Sequence, residues 1–283
     1  MHFVTFLRDG VQRPGVAADG AVRALPERFA TLSEYIASGP APGQAPNLGP
    51  AIPLASVTLL APLKPHKNVF CVGRNYLGHA EESARASGTE LKLPPVPTFF
   101  TKAPTAIAAP GATLHFSSEV SQKYDWEAEL AVVIGKRCRD VREEDALGVI
   151  FGYTCVNDVT ARDLQNAHLQ WFKGKSLDDA CPIGPWVVGA DEISDPQALR
   201  VMLRLNGEVK QDGNTSTMIF SVAKIIASLS RGMTLEPGDV IATGTPDGVG
   251  FARTPPEFLQ DGDVMEVEIE RIGILRNTVS LKR

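Results

Sequence analysis

Cysteine is scarce in this chain. Cys71, Cys138, Cys155 and Cys181 are four in 283 residues, and no two stand in a C-x-x-C spacing. A disulfide framework or a zinc site needs paired spacings, so both are set aside and the thiols are read as reduced cytosolic side chains. Long apolar runs are missing too. No stretch approaches the roughly 18 residues of a membrane span, and the first nine residues lack the basic start and apolar run of a signal peptide. Cationic clustering is slight: net charge is -5, and the basic segment from Arg137 to Arg142 passes straight into acids. No nucleic-acid footprint is expected from that pattern. What remains is an ordinary globular composition, 43% hydrophobic and 22% charged, in a length that buries a large core. Such an acidic protein still takes anionic metabolites where a metal ion supplies positive charge locally.

Proline and glycine divide what is there. Residues 1–63 read as a small N-terminal α/β domain, with a strand over 1–7 and a helix over 27–38. A run rich in proline and glycine over 39–46 then excludes regular structure. Residues 64–283 form the second domain, dense in strand and turn patterns. A buried strand is expected over 68–72, a turn at Gly73, and a helix capped by Asn75 and ended by Gly88. Strands follow over 126–134 and 147–156, then a helix over 159–169. Asn206-Gly207 between two strand patterns marks a hairpin. Met218, Ile219, Val222, Ile225, Ile226 and Leu229 mark an amphipathic helix, and strands over 264–270 and 275–281 close the chain. Helices enter singly rather than alternating with strands. The expected class is therefore α+β and β-rich, not a parallel Rossmann sheet or a (β/α)₈ barrel.

Two acids stand out against this pattern. Glu127 and Glu129 are two apart in a predicted strand, so both leave one face, roughly 6–7 Å apart. Glu266, Glu268 and Glu270 also alternate, but against Met265, Val267 and Ile269, as a half-buried strand with its acids in water does. Around Glu127 and Glu129 both faces are apolar: Ala131 and Val133 continue one, and Trp126, Ala128, Leu130, Val132 and Ile134 fill the other. A strand dry on both sides does not open with two carboxylates unless something neutralises them. Asp158 follows the next strand and is expected to open a helix. There it either caps the helix or shares a face with Arg162 and Gln165, a stripe suited to a metal and an anionic ligand. Three carboxylates without a His or Cys partner imply hard oxygen ligation, hence Mg²⁺ or Mn²⁺.

These residues carry a family likeness. Asp125-Trp126-Glu127-Ala128-Glu129-Leu130-Ala131-Val132-Val133-Ile134-Gly135 resembles the metal-binding strand of the fumarylacetoacetate hydrolase family, and Asn157-Asp158-Val159-Thr160-Ala161-Arg162-Asp163-Leu164-Gln165 is similar to its second motif. Gly73-Arg74-Asn75-Tyr76, the segment from Lys175 to Pro185, and Thr243-Gly244-Thr245-Pro246-Asp247-Gly248-Val249-Gly250 resemble the remaining blocks, in the family's order. The likeness covers residues 66–283. It implies a mixed β-roll, sandwich-like catalytic domain, usually a cytoplasmic homodimer, with Mg²⁺ or Mn²⁺ held by Glu127, Glu129 and Asp158. The small N-terminal module matches the longer members.

The same resemblance assigns roles. His79 and Glu82, three apart on a helix, match the family's His–Glu dyad, in which Glu orients His to deprotonate water; a pair so spaced is otherwise an ordinary surface contact. Lys175 is implied beside the substrate as a charge stabiliser, with Arg162 and Gln165 on the substrate's oxygens. Thr245 lies in a glycine-rich turn whose N–H groups suit a carboxylate. Arg74, Tyr76 and Lys102 are further substrate-side candidates, and Asp178 comes after them. The implied reaction is metal-dependent hydrolysis of the C3–C4 bond of a 2,4-dioxo acid such as an acylpyruvate or fumarylpyruvate. Oxaloacetate decarboxylation and cleavage of a 2,4-dioxo-3-deoxy sugar acid are the alternatives within the family. A non-catalytic metal-binding scaffold is the alternative outside it. Residues 83–93, with Gly88 and the prolines beyond, permit a lid over the site without requiring one.

Overall fold

The structure, a computed structural model, describes residues 1–40, 43–44 and 46–283. Ala41, Pro42 and Ala45, part of the expected irregular run, lie outside the described residues. The architecture is β-rich with a few short helices, as expected. The larger sheet runs, in spatial order, through Ala51–Pro53, Ala21–Ala24, Val11–Ala18, His2–Arg8, Cys181–Gly189, Ile150–Asn157, Ala128–Ile134, Val240–Ala242, Val69–Gly73 and Thr98–Lys102. A second sheet orders Glu208–Asn214, Arg200–Leu205, Val264–Ile269, Gly273–Lys282 and Thr113–Ser117. Both sheets are mixed: Val240–Ala242 pairs parallel with Val69–Gly73, and Gly273–Lys282 pairs parallel with Thr113–Ser117. The N-terminal strands enter the larger sheet through His2–Arg8, whose His2 and Phe3 stand opposite Val188 and Val187.

Ala128–Ile134 is the centre of the molecule, and all seven of its residues are buried. One face, with Leu130, Val132 and Ile134, packs with Val201, Leu203, Met265, Val267 and Ile269 of the second sheet and with Ile225 and Ile226 of the helix Val222–Ser230. The other, with Ala131 and Val133, packs with Phe3, Leu32, Ile36, Ile183 and Val187. Each large apolar side chain so buried contributes about 1.5–3 kcal/mol relative to exposure. The apolar pattern on both sides of Glu129 thus has its expected cause.

Several boundaries differ from expectation, each for a local reason. The first helix is only Leu32–Ala37, because Thr31 supplies the N-cap by accepting from Glu34 N at 3.1 Å. Asn75 does not cap the next helix, Leu77–Ser87. Its amide instead reaches Thr243 O and Phe220 O, and Tyr76 precedes the helix without a side-chain cap. Gly88 does end that helix, at φ 64. The strand expected over 126–134 begins at Ala128, since Trp126 N and Glu127 N are taken by the side chains of Asp125 and Asn157. The helix expected over 159–169 contracts to Arg162–Ala167, because Thr160 and Ala161 pair as a strand with Asp125 and Tyr124. The hairpin falls at Asn206-Gly207, both with positive φ, as a tight primed turn requires.

Candidate active site

Adjacent antiparallel strands deliver the three acids. Ala128 stands opposite Asn157, so Glu127 and Glu129 flank the point where the neighbouring strand ends and Asp158 begins the exit. Asp158 N donates to Glu127 O at 2.9 Å, which fixes the junction. One oxygen from each of Glu127, Glu129 and Asp158 lies within 4.8 Å of the others, and all three side chains are buried. Asp158 therefore reaches the cluster from a strand end, not from a helix N-terminus or a helical stripe shared with Arg162 and Gln165; the helix near it starts only at Arg162.

Cations surround this cluster unevenly. Lys175 Nζ lies 2.8 Å from both Glu127 Oε2 and Asp158 Oδ2. Lys102, wholly buried, donates to Asp158 Oδ1 at 2.5 Å and to Val159 O at 3.0 Å. Arg162 Nη1 stands 2.7 Å from Glu127 Oε1. Burial pushes the Glu127 carboxyl up, but Lys175 and Arg162 outweigh it and hold the group at about 2. Glu129 goes the other way: burial, then the Asp158 and Glu127 carboxylates, raise it well above the usual range. That like-charge crowding is the feature a divalent cation relieves. Three convergent carboxylates suit a hard ion such as Mg²⁺ or Mn²⁺, so these residues fit the metal that the family pattern implies.

His79 and Glu82 form the expected pair on the helix Leu77–Ser87, with His79 Nδ1 2.8 Å from Glu82 Oε1. An ionised carboxylate only accepts, so Nδ1 carries the hydrogen and Nε2 of the neutral ring keeps its lone pair. A cavity of about 570 Å³ is lined by Arg74, His79, Glu127, Glu129, Arg162, Gln165, Lys175 and Thr245 together. Most of the residues singled out in the sequence thus line one cavity, while Glu82, Lys102, Asp158 and Asp178 are not among its lining residues. Nor is Tyr76: its ring is buried behind the cavity and its hydroxyl has no partner. Arg74 sits at φ 55 with its guanidinium 5.8 Å above the Trp171 ring. Arg162 is held by Asp125 Oδ2 at 2.8 Å and by Gln165 Oε1 at 3.2 Å, while its Nη2 is buried and unpartnered. An orphaned guanidinium nitrogen on a cavity-lining residue is a ready donor for a carboxylate.

The glycine-rich turn, with the residue after it, directs five amides inward. Its amides serve the protein's own acids: Gly244 N donates to Glu129, Gly248 N and Val249 N to Glu82, and Gly250 N and Phe251 N to Asp125. Lys123, Asn166, Trp171, Phe251 and Phe258 also line the cavity, and sequence reasoning did not find them. Nor did it find Asp125 or Gln211, which act from behind the wall. A buried aspartate or glutamine carries no periodic signal, and only its partners reveal it.

Hard oxygen donors at the dry end of a mixed β-sheet, sharing a cavity with a carboxylate-oriented histidine, define a class suited to metal-assisted acid–base chemistry. Residues 68–280 match the profile described as fumarylacetoacetate (FAA) hydrolase C-terminal, and the chain belongs to that family. It is similar to the oxaloacetate tautomerase YisK of Bacillus subtilis, at 49% identity over 80% of this chain and 74% of the relative. It is also similar to the mitochondrial oxaloacetate tautomerase FAHD2A of Homo sapiens, at 42% identity over 81% of this chain and 72% of the relative. Among solved structures, a fumarylacetoacetate hydrolase from Exiguobacterium antarcticum superposes with a TM-score of 0.87 at 43% identity, covering 99% of each chain. A 2-hydroxyhepta-2,4-diene-1,7-dioate isomerase from Mycobacterium marinum gives 0.81 at 34%, covering 99% of this chain and 98% of that one. Among the described residues, no helix is long and apolar enough to cross a membrane.

Proposed function

We propose that this chain interconverts the keto and enol forms of a short 2-oxo acid, with oxaloacetate as the substrate. The observation that carries the reading is His79: its ring is oriented by Glu82 through Nδ1, and it lines the same cavity as Glu127, Glu129 and Lys175. The relatives named oxaloacetate tautomerases, matched over four fifths of the chain, point to the same substrate. Glu127, Glu129 and Asp158 would hold the cation, which when bound supplies Lewis-acid polarisation of the 2-oxo group.

The chain's own groups do the rest. Nε2 of His79 takes a proton from C3, the C–H pair becomes the C2=C3 bond, and the 2-oxo oxygen gains the negative charge. Burial lowers the Lys175 ammonium's pKa, but Asp158 and Glu127 raise it further, so the group stays charged to stabilise that oxygen. Return of the proton from His79 to the oxygen completes the enol; the reverse sequence gives the keto acid. Arg162 Nη2 and the Gln165 amide bind a substrate carboxylate. Loss of the enol absorbance of oxaloacetate, followed with and without Mg²⁺ or Mn²⁺, tests the reading. Rates no faster than buffer with either ion reject it.

Hydrolysis of a 2,4-dioxo acid is the second reading. The dyad favours it, because an imidazole backed by a buried carboxylate also suits deprotonation of water. Decarboxylation of oxaloacetate needs no attacking water, and neither does tautomerisation. Acylpyruvates, a dioxo sugar acid and oxaloacetate assayed side by side separate the reactions. A protein that binds Mn²⁺ yet turns over none of them is a scaffold.

A further inference from the structure

One short segment touches three separate parts of the site. Gly248 N and Val249 N reach Glu82 Oε2 and Oε1 at 2.8 and 3.5 Å. The next two amides, Gly250 N and Phe251 N, reach Asp125 Oδ1 and Oδ2 at 2.7 and 3.0 Å. Earlier in the same segment, Gly244 N reaches Glu129 Oε2 at 2.7 Å. Glu82 orients His79, Asp125 grips Arg162 Nε at 2.8 Å, and Glu129 belongs to the acid triad. We infer that residues 244–251 form a single positioning element that couples the histidine base to the anion-binding arginine, with Asp125 as the positioning residue for Arg162.

Close approach of backbone to carboxylate is what the glycines allow. A Cβ on Gly248 would stand 2.1 Å from Lys210 O, and one on Gly250 would stand 2.1 Å from Glu257 O and 2.6 Å from Asp125 Oδ1. Gly244 and Gly248 also sit at φ 99 and 101, where a side chain is strained. The segment is anchored from two sides. Gln211, 1% exposed, donates to Thr245 Oγ1 at 2.7 Å and Pro246 O at 2.8 Å. Its own oxygen accepts from Ala128 N, between Glu127 and Glu129, at 2.9 Å. Asn75 donates to Thr243 O at 2.8 Å.

Hydrogen bonds to ionised acceptors are roughly twice as strong as neutral ones. Three short bonds of this kind, with a longer one from Val249 N between them, leave the turn little freedom to shift at one carboxylate without shifting at the other. Asp125 has no exposure and does not line the cavity; Arg162 and the N–H groups of Trp126, Gly250 and Phe251 compensate its buried charge, so it acts on the site only through the groups it holds.

The inference rests on the roles proposed for His79 and Arg162, so its test includes a readout independent of turnover. Asp125→Asn, Glu82→Gln and the double variant are compared with wild type, Mn²⁺-loaded, for oxaloacetate kcat and KM and for calorimetric affinity toward oxalate. Coupling predicts that Asp125→Asn raises KM and also lowers kcat, by about tenfold, although it touches neither His79 nor Glu82. It predicts too that the two substitutions fail to multiply, as sites coupled through a shared backbone shift do in such cycles. Glu82→Gln weakens oxalate in the native background and adds nothing in Asp125→Asn. A rise in KM alone, with independent effects, overturns the inference, as does a wild type that ignores oxalate. If oxaloacetate is not turned over but the oxalate cycle is non-additive, the proposed reaction fails and the coupling stands. Gln211→Met, assayed at saturating Mn²⁺ because Ala128 N between Glu127 and Glu129 also loses its acceptor, loosens the segment and decides the matter if Asp125→Asn does not fold. It moves kcat and KM together if the element is shared; a change in one or neither overturns the inference.

Discussion

Glu129 carries the clearest residue-level consequence. Its carboxyl is raised by burial and by Asp158 and Glu127, so the metal-free protein retains its proton to higher pH than an ordinary glutamate does. A cation must displace that proton. Mn²⁺ binding is therefore expected to release protons and to strengthen as pH rises and Glu129 ionises. Calorimetry in buffers of different ionisation enthalpy checks this: an apparent binding enthalpy independent of buffer contradicts it. His79→Ala, by contrast, leaves all three acids in place and is expected to cut turnover by about 10²–10⁴-fold with Mn²⁺ affinity unchanged. Steady-state rates and a metal titration on the same preparation separate the two effects. The acids were legible in the sequence because charge amid apolar neighbours is conspicuous in one dimension. Asp125 was adjacent to them and silent, since its partners Arg162, Gly250 and Phe251 come from distant parts of the chain.

At the scale of elements, the long apolar patterns and the Asn-Gly hairpin were readable because they follow a period or a turn type. The acid motif's first residues were not. Glu127 lies outside the strand because Asn157 Oδ1 accepts its N–H at 3.0 Å, an event that no periodicity announces. The helix after Asp158 was overestimated for a similar reason: pairing of Thr160 and Ala161 with Asp125 and Tyr124 delays its start. The Asn157 bond gives a prediction. Asn157→Ala leaves Glu127 N–H buried and unsatisfied, at a cost of about 1–3 kcal/mol. A lower urea midpoint with an unchanged slope is expected, together with weaker Mn²⁺ binding as Glu127 loses its fixed backbone. An unaltered midpoint counts against this role.

For the whole molecule, we keep residues 1–63 and 64–283 as the proposed division, although the two share a sheet and a cluster. Phe3, Leu32 and Ile36 pack with Ala131, Val133, Ile183 and Val187. The segment 64–283 expressed alone is expected to aggregate, because its strand Cys181–Gly189 loses the pairing with His2–Arg8 and bares those apolar side chains. A monodisperse, cooperatively unfolding fragment would show instead that the second part folds unaided. Apolar side chains also face outward elsewhere: Leu169 is fully exposed, and Leu91, Leu93, Val96 and Phe172 are 40–62% exposed. We propose the homodimer that the family pattern implies, and light scattering is expected to give twice the chain mass.

The acid triad gathers where the Ala128–Ile134 strand meets the end of its neighbour Ile150–Asn157, with Glu129 inside the buried strand, Glu127 just before it and Asp158 just after the neighbour, whereas Lys123, Asn166 and Phe258 reach the same cavity from the molecule's outer segments. Inheritance can therefore treat the two ends of the cavity differently. Exchange of the outer side chains changes the shape offered to a ligand without touching the three acids, while a change beneath the acids disturbs their convergence. Libraries aimed at new substrates belong on the outer rim.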